Sequence, residues 1–251
     1  MKLTPSRKVN RIFLWKTTWY VLCFIYNCMK LGCSNQNNRA LTLVEVLVVI
    51  MVLAVLAAML LPTLAAAKKK AQRISCVNNL KQIGVAFRVW EGDNGNKYPM
   101  DVSVTNGSTM ELFNKGNQFQ SLGFQNFLSM SNELNTPKIF HCPADTTGFA
   151  ATNFSTGFNH QNISYFIGLD TNQDNPQNIL SGDDNFEISG SPVKSGLLEI
   201  SSNTPIAWSA ARHKFSGNIL LADASVQSLS NYGLTNCLHQ TGLATNRFAI
   251  P

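Results

Sequence analysis

Leu41 to Ala67 reads LTLVEVLVVIMVLAVLAAMLLPTLAAA, and from Val46 to Leu61 it carries no charged or polar side chain. A run of this kind leaves few folds open. From Leu43 to Pro62 there are about 20 residues, and at roughly 1.5 Å per residue they reach about 30 Å, the thickness of a bilayer's hydrocarbon core. Lipid offers no partners to free backbone groups, so the spanning form is a helix. We therefore expect a transmembrane helix over residues 41–67. Glu45 stands just inside the apolar entrance. An ionisable group at that depth is costly and calls for a partner, unless it lies close enough to the interface to stay wet.

The net charge of +6 would suit a nucleic acid or an acidic membrane, but its location decides otherwise. Lys2, Arg7, Lys8, Arg11, Lys16, Lys30 and Arg39 all precede residue 41, with no acidic residue among them; thirteen basic and fourteen acidic residues follow. The basic excess thus lies before the span, where it holds that end in the cytoplasm. A general nucleic-acid-binding reading loses its support. Lys68, Lys69, Lys70 and Arg73 form one local cluster beyond the span, suited to a lipid surface or a neighbour's acidic group.

Residues 1–40 read as a leader. Ile12 to Met29 is partly apolar, but Lys16 interrupts it, which makes a poor span and a poor secretory signal. Met29-Lys30 offers a second start with a much shorter leader, and we favour it. Beyond Pro62 the helix is expected to continue, since proline costs one hydrogen bond and a kink without necessarily ending it. Ile74, Val77, Leu80, Ile83, Phe87 and Trp90 recur at intervals of three or four, an apolar stripe that packs on the chain's own domain. Gly92-Asp93-Asn94-Gly95 ends it. A helix from Leu41 to Glu91 would be roughly 75 Å long.

Residues 92–251 are rich in Asn, Ser, Thr, Gly and Asp, with short apolar runs. Expected strands are 138–141, 163–169, 206–209, 217–222 and 225–229, the last two joined by a turn at Ala222-Asp223-Ala224. Phe124 to Met130 reads as a short helix or buried loop, and Asp170 to Gly196 as a polar surface excursion. One modest core and a single α+β head follow, with 68–91 as the amphipathic continuation of the anchor.

Arg39-Ala40-Leu41-Thr42-Leu43-Val44-Glu45 resembles the processing site of type IV pilin-like proteins, the pilins and type II secretion pseudopilins. In that family a prepilin peptidase cuts after a short basic leader and the new N-terminus is methylated. A cut between Ala40 and Leu41 puts Glu45 fifth and Pro62 twenty-second, the family's register for both. Ala40 stands where the family has glycine and Leu41 where it usually has phenylalanine. Cys76-Val77-Asn78-Asn79-Leu80-Lys81-Gln82-Ile83-Gly84, the Gly92 to Pro99 turn, Cys142-Pro143-Ala144-Asp145, and His213 with Asp223 resemble motifs of the pseudopilin-like proteins of planctomycete and verrucomicrobial lineages. Ala224 replaces their glycine after the aspartate, and alanine resists positive φ.

The resemblance implies a pilin-like α+β fold, with a long N-terminal helix packed on a small antiparallel β-sheet head. It implies a single-pass protein of the bacterial inner membrane, N-terminus cytoplasmic and head extracytoplasmic. Expected partners are the prepilin peptidase, other pseudopilins and the inner-membrane assembly platform, in a type II secretion or pilus-like filament. Glu45 would pair with the free amine of Leu41 on a neighbour. Only Cys76, Cys142 and Cys237 survive the cut, and a head outside the cytoplasm can form disulfides. The sequence alone does not choose the pair; the resemblance points to Cys76–Cys142, with buried reduced cysteines as the alternative.

No other chemistry stands out. Without a C-x-x-C pair a structural zinc site is not expected, and no cofactor is required. Asp170-x-Asn172-x-Asp174 opens like a calcium loop, but Asn175 and Ser181 break the EF-hand pattern. Some pseudopilins hold calcium in a C-terminal loop, which keeps Asp170, Asp174, Asp183 and Asp184 as candidate ligands, although Asx-rich loops are usually just turns. Ser216, His213 and Asp223 lack any nucleophile motif, and no P-loop is present, so no enzyme activity is expected. His213 is read instead as a hydrogen-bond partner of the hairpin that bears Asp223. A membrane-anchored module recognising a glycan or protein at the cell surface is the alternative function.

Overall fold

A single helix, α1 (Leu43–Asp93), runs without interruption through Pro62 in the computed structural model, which describes residues 42–111, 123–155 and 157–251. The leader over 1–40 and the Ala40–Leu41 cut lie outside the described residues. Thr42 starts the helix: the backbone N–H and hydroxyl of Thr42 both donate to Glu45 Oε2 at 2.9 Å, and the Glu45 N–H donates to Thr42 Oγ1 at 3.3 Å. This is a reciprocal capping box that satisfies donors the first turn would leave open. At the other end Gly95 and Asn96 take φ of 67° and 60°, and the Asn94 side chain donates to the Trp90 carbonyl at 2.8 Å. Left-handed residues there turn the chain off the helix axis.

The chain divides into two units, one ending at Ala66 and one beginning at Ala67. In the first, the described helix exposes apolar side chains all round, Leu43, Val49, Leu53, Leu60 and Leu61 among them. Among the described residues α1 is the one helix long and apolar enough to cross a membrane. A helix apolar on every side needs an apolar surround.

The second unit is built on antiparallel sheets. Its elements are α2 (Gly123–Ser129), β1 (Tyr165–Gly168), β2 (Ile179–Asp183), β3 (Phe186–Ile188), β4 (Ser191–Pro192), β5 (Gly196–Ser201), β6 (Ile206–Trp208), β7 (Ser216–Leu221), β8 (Val226–Ser230), α3 (Asn231–Gln240) and β9 (Thr245–Ile250). Six strands form one sheet in the order β5-β9-β1-β2-β7-β8, and β4-β3-β6 form a second. The larger sheet is covered on both faces. On one, Cys76, Leu80, Ile83 and Phe87 of α1 meet Tyr165, Ile167, Leu180 and Leu220. On the other, Phe166, Ile219 and Phe248 meet Phe186 and Trp208 of the second sheet and Leu234 and Leu238 of α3. The α+β expectation of a long helix laid on an antiparallel sheet therefore holds.

Particular elements differ from expectation. Ile74 is 59% exposed, and Cys76 occupies the buried face in its place. Each step of three turns back by about 60°, so three such steps from Ile83 carry position 74 to the opposite side of the helix. Lys138 to His141 is not a strand: Pro137–Phe140 forms a 3₁₀ turn, with Pro137 early in the turn and the Thr136 side chain accepting from the Lys138 N–H. The stretch 170–196 is a surface excursion only in part, over 172–177 and around β4. It supplies β2, buried at every position, together with β3 and β4. Residues 172–177 stay exposed, but the polar side chains of the β2 region are buried: Ser181 Oγ donates to the Phe166 carbonyl at 2.6 Å, and Asn178 Nδ2 to the Asp170 carbonyl at 3.0 Å. Strand β5, helix α3 and strand β9 were not anticipated.

Candidate functional site

The anchor entrance is held by the Thr42–Glu45 box. Within one chain the Glu45 carboxylate thus serves its own helix start, using a threonine that sequence reading passed over although T-x-x-E is the signature of this cap. Pro62 sits inside the helix, where it removes one amide donor. Thr63 beside it donates its hydroxyl to the Leu60 carbonyl at 2.8 Å.

A second cluster lies inside the head. Cys76 of α1 and Cys142 are joined by a disulfide, with Cα atoms 5.4 Å apart, while Cys237 is free and buried. Burial pushes the Cys237 thiol up to about 11. The His213 ring does not bond the hairpin of Asp223. Its Nε2 lies 3.4 Å from Cys142 Sγ and 3.6 Å from Asp183 Oδ2. The turn that delivers this ring has three successive non-glycine residues at positive φ, His213 at 37°, Lys214 at 52° and Phe215 at 56°. Each such residue costs on the order of 1–3 kcal/mol, and strain of this kind collects at sites that need a side chain held in one place. Burial, with the positive charges of Arg73 and Arg212, holds His213 down at about 4. Asp183 is fully buried, and that burial raises its carboxyl to about 7. Its Oδ2 accepts from Asn218 N at 2.7 Å and Asn218 Nδ2 at 2.9 Å, whereas Oδ1 has no hydrogen-bond partner.

Arg212, the residue before His213, is a further member that sequence reading missed. Its guanidinium reaches Asp145 Oδ2 at 2.6 Å, Asp184 Oδ1, and the Ser164 carbonyl at 3.0 Å. Burial pushes the Asp145 carboxyl up, but Arg212 together with hydrogen bonds from Ser164 and Thr147 outweighs it, so the group ends below its ordinary value. For Asp184 burial prevails over Arg212 and the carboxyl is raised. No spacing rule marks Arg212, since its partners lie 28 or more residues away.

The four aspartates considered for calcium are not gathered into one cage. Asp170 is bound to Arg247, at 2.7 Å to its N–H and 2.8 Å to its Nε. Asp184 belongs to Arg212 and Asp183 to Asn218. The three-residue grouping of metal-ligand atoms among the described residues is Cys76, Cys142 and His213. Asp223 caps its own turn by accepting from the Ser225 N–H at 2.8 Å, and Ala224 takes φ of 66° there. The Ser216 hydroxyl donates to the His213 carbonyl, not to its ring, so the two do not form a nucleophile and base. Beside Arg212 an open cleft of about 550 Å³ is lined by Asp145, His160, Asp184, Ser209 and Pro251.

A family model described as the prokaryotic N-terminal methylation motif matches residues 35–61, the segment that contains Glu45 and the greater part of the apolar run. The segment at the start of the anchor therefore carries a methylation motif of this kind. The chain is also similar to "Type II secretion system core protein G" of Pectobacterium carotovorum subsp. carotovorum, 38% identical over 68 residues. That match covers 27% of this chain and 43% of the relative, less than half of its length. No solved structure matches.

Proposed function

We propose that this chain is a pseudopilin-like structural subunit. Prepilin peptidase cuts it between Ala40 and Leu41, and it assembles through α1 with other pseudopilins, on an inner-membrane platform, into a type II secretion or pilus-like filament. The observation that carries the reading is the methylation motif lying over the apolar first part of α1, residues 43–66, whose side chains are mostly exposed and whose one carboxylate, Glu45, stands at the entrance. In lipid such a helix is stable, and in a bundle of like helices it has apolar surfaces to meet. The N-terminus faces the cytoplasm, following the basic leader, and the head lies on the other side.

The Thr42–Glu45 box sharpens the assembly step. Before assembly the carboxylate is served by its own chain, and pairing with the Leu41 amine of a neighbour exchanges or shares those bonds. Losing a cap costs about 0.5–2 kcal/mol, whereas a carboxylate left unpaired in apolar surroundings costs about 3–5 kcal/mol, so a neighbour's amine outweighs the lost cap. Mass spectrometry of the N-terminus from native membranes tests the processing: a chain beginning at methylated Leu41 is expected, and an uncut chain overturns it. Glu45→Gln keeps much of the cap but removes the charge. It should insert normally and incorporate poorly into filaments; unimpaired incorporation would sink the pairing.

The cleft beside Arg212 favours a second reading, a membrane-anchored head that binds a glycan or protein at the cell surface. An uncut, unassembled chain whose head retains a surface ligand would favour it.

A further inference from the structure

Cys76, Cys142 and His213 come from three distant parts of the chain, yet one ligand atom of each lies within 4.8 Å of the others. Their spacing is unlike any local zinc motif, so the sequence argues against a site that the tertiary structure assembles. The geometry can be checked against tetrahedral zinc. With sulfur at about 2.3 Å and imidazole nitrogen at about 2.0–2.1 Å from the ion, a sulfur and a nitrogen that share it stand about 3.5 Å apart. Cys142 Sγ and His213 Nε2 are 3.4 Å apart. A carboxylate oxygen at about 2.0–2.2 Å would stand about 3.4 Å from the same nitrogen. Asp183 Oδ2 is 3.6 Å from it. Two edges of the tetrahedron are therefore laid out already, while Asp183 falls outside the set of ligand atoms lying within 4.8 Å of one another, so its carboxylate meets a shared ion only by closing toward the sulfurs once their bond opens. The edge between the two sulfurs needs about 3.8 Å, and the disulfide forbids it for as long as the bond exists.

We propose that the head has two mutually exclusive states at this locus: with Cys76 and Cys142 as thiols it binds one zinc ion through their sulfurs, His213 Nε2 and Asp183 Oδ2, and with the two cysteines bridged it binds none. The environment is that of a closed structural site. Both cysteines are fully buried, and the side chains of His213 and Asp183 are 2% and 0% exposed. Asn218 fixes the carboxylate from behind with two hydrogen bonds, the kind of outer support that orients a metal ligand. The other oxygen, Asp183 Oδ1, is a buried acceptor with no partner, which the field of a cation would stabilise. Two thiolates and a carboxylate around a divalent ion leave one negative charge in excess. Arg73 and Arg212, whose fields reach His213, offset that excess. The strained turn at His213 to Phe215 then has a purpose in both states, because it holds the ring against the sulfurs whether or not they are bonded.

The chemistry balances in either direction. Each thiol releases a proton to solvent as its sulfur takes the ion. The bridged form enters the thiol state by two-electron reduction, for which a trialkylphosphine serves: the disulfide becomes two thiols, and the phosphine becomes its oxide with the oxygen of one water. Return requires an oxidant of the disulfide class. The two thiolates leave the ion and form the S–S bond, the oxidant's disulfide takes up two electrons and two protons to become two thiols, and the ion is freed. This inference does not depend on whether the chain enters a filament.

The test uses the full chain in detergent, reduced by a trialkylphosphine without oxygen and titrated with Co²⁺ as a spectroscopic substitute for Zn²⁺. We expect one ion per chain, with the thiolate charge-transfer band and the intense visible bands of a tetrahedral site, and displacement by Zn²⁺. The oxidised chain should show none of these. His213→Ala and Asp183→Asn should each weaken binding by about 10-fold or more. Each variant is first shown to form the Cys76–Cys142 bridge and a wild-type near-ultraviolet dichroism when oxidised. A variant that fails this check is set aside, and the wild-type chain alone decides: bound Zn²⁺ should protect Cys76 and Cys142 from alkylation until a chelator removes it. Absence of tetrahedral bands, equal binding by the oxidised chain, equal affinity in the folded His213 variant, or cysteines that zinc leaves unprotected would each overturn the proposal.

Discussion

Replacing Arg212 by glutamine should destabilise the head more than any change at its surface. The guanidinium is 10% exposed and serves Asp145, Asp184 and the Ser164 carbonyl together. Removing it leaves two carboxylates, 3% and 14% exposed, without their counter-ion. Breaking a buried pair by deleting one partner typically costs about 3–5 kcal/mol, about a fifth or more of the total for a domain stable by about 5–15 kcal/mol. With a urea slope of about 2 kcal/mol per molar, the midpoint should fall by about 1.5–2.5 M. The assay is urea unfolding of the full chain in detergent with its disulfide intact, followed by tryptophan fluorescence at several pH values. Asp145 sets the sign of the pH effect. In the native protein its carboxyl lies below the ordinary value, so its contribution is fully present above about pH 4 and is lost as pH falls through the depressed native value. Without Arg212 the burial effect dominates, the carboxyl rises, and the variant gains stability on acidification. The gap between the two proteins should therefore narrow below about pH 5. A loss under about 1 kcal/mol, or a gap that stays constant from pH 7 to pH 4, would refute this account. Arg212→Met combined with Asp145→Asn and Asp184→Asn should recover much of the loss.

Two further changes probe the packing. A Cβ on Gly217 would stand 2.5 Å from the ring of Trp208, which is fully buried and stacked on Phe186 at 5.0 Å. Gly217→Ala should cost about 1–3 kcal/mol and shift the tryptophan emission, and an unchanged thermal midpoint would contradict the close approach. Cys237 is buried and its thiol is raised to about 11, so at pH 8 it should resist alkylation in the folded chain and react at once in denaturant; rapid labelling of native protein would refute its placement.

How far these features were legible follows from where their physics is written. The span was plain, because composition alone forces a helix in lipid, and the T-x-x-E cap stood in the sequence though only its glutamate drew notice. β7 and β8 were readable because a local turn separates them. β2 was not, since Asn178, Ser181 and Asp183 look like a loop until their partners, the Asp170 and Phe166 carbonyls and Asn218, are in view. A sheet buried on both faces loses the alternation of inward apolar and outward polar residues on which strand recognition depends. His213 was linked to the hairpin of Asp223 through a family-like motif, while the fold brings its ring to Asp183 and Cys142, 30 and 71 positions away. Arg212 carries no local signal at all.

The disulfide also has a mechanical meaning. Cys76 is the first buried residue of α1, nine positions beyond the start of the second unit at Ala67. A tension drawn along the helix into that unit meets a covalent strut before it reaches the packed side chains of Leu80, Ile83 and Phe87. Peeling the helix from the sheet then requires the loop at Cys142 to travel with it, so the load is shared across the body and not concentrated on one seam. With the bond opened, the same pull would fall first on van der Waals contacts, which yield one turn at a time.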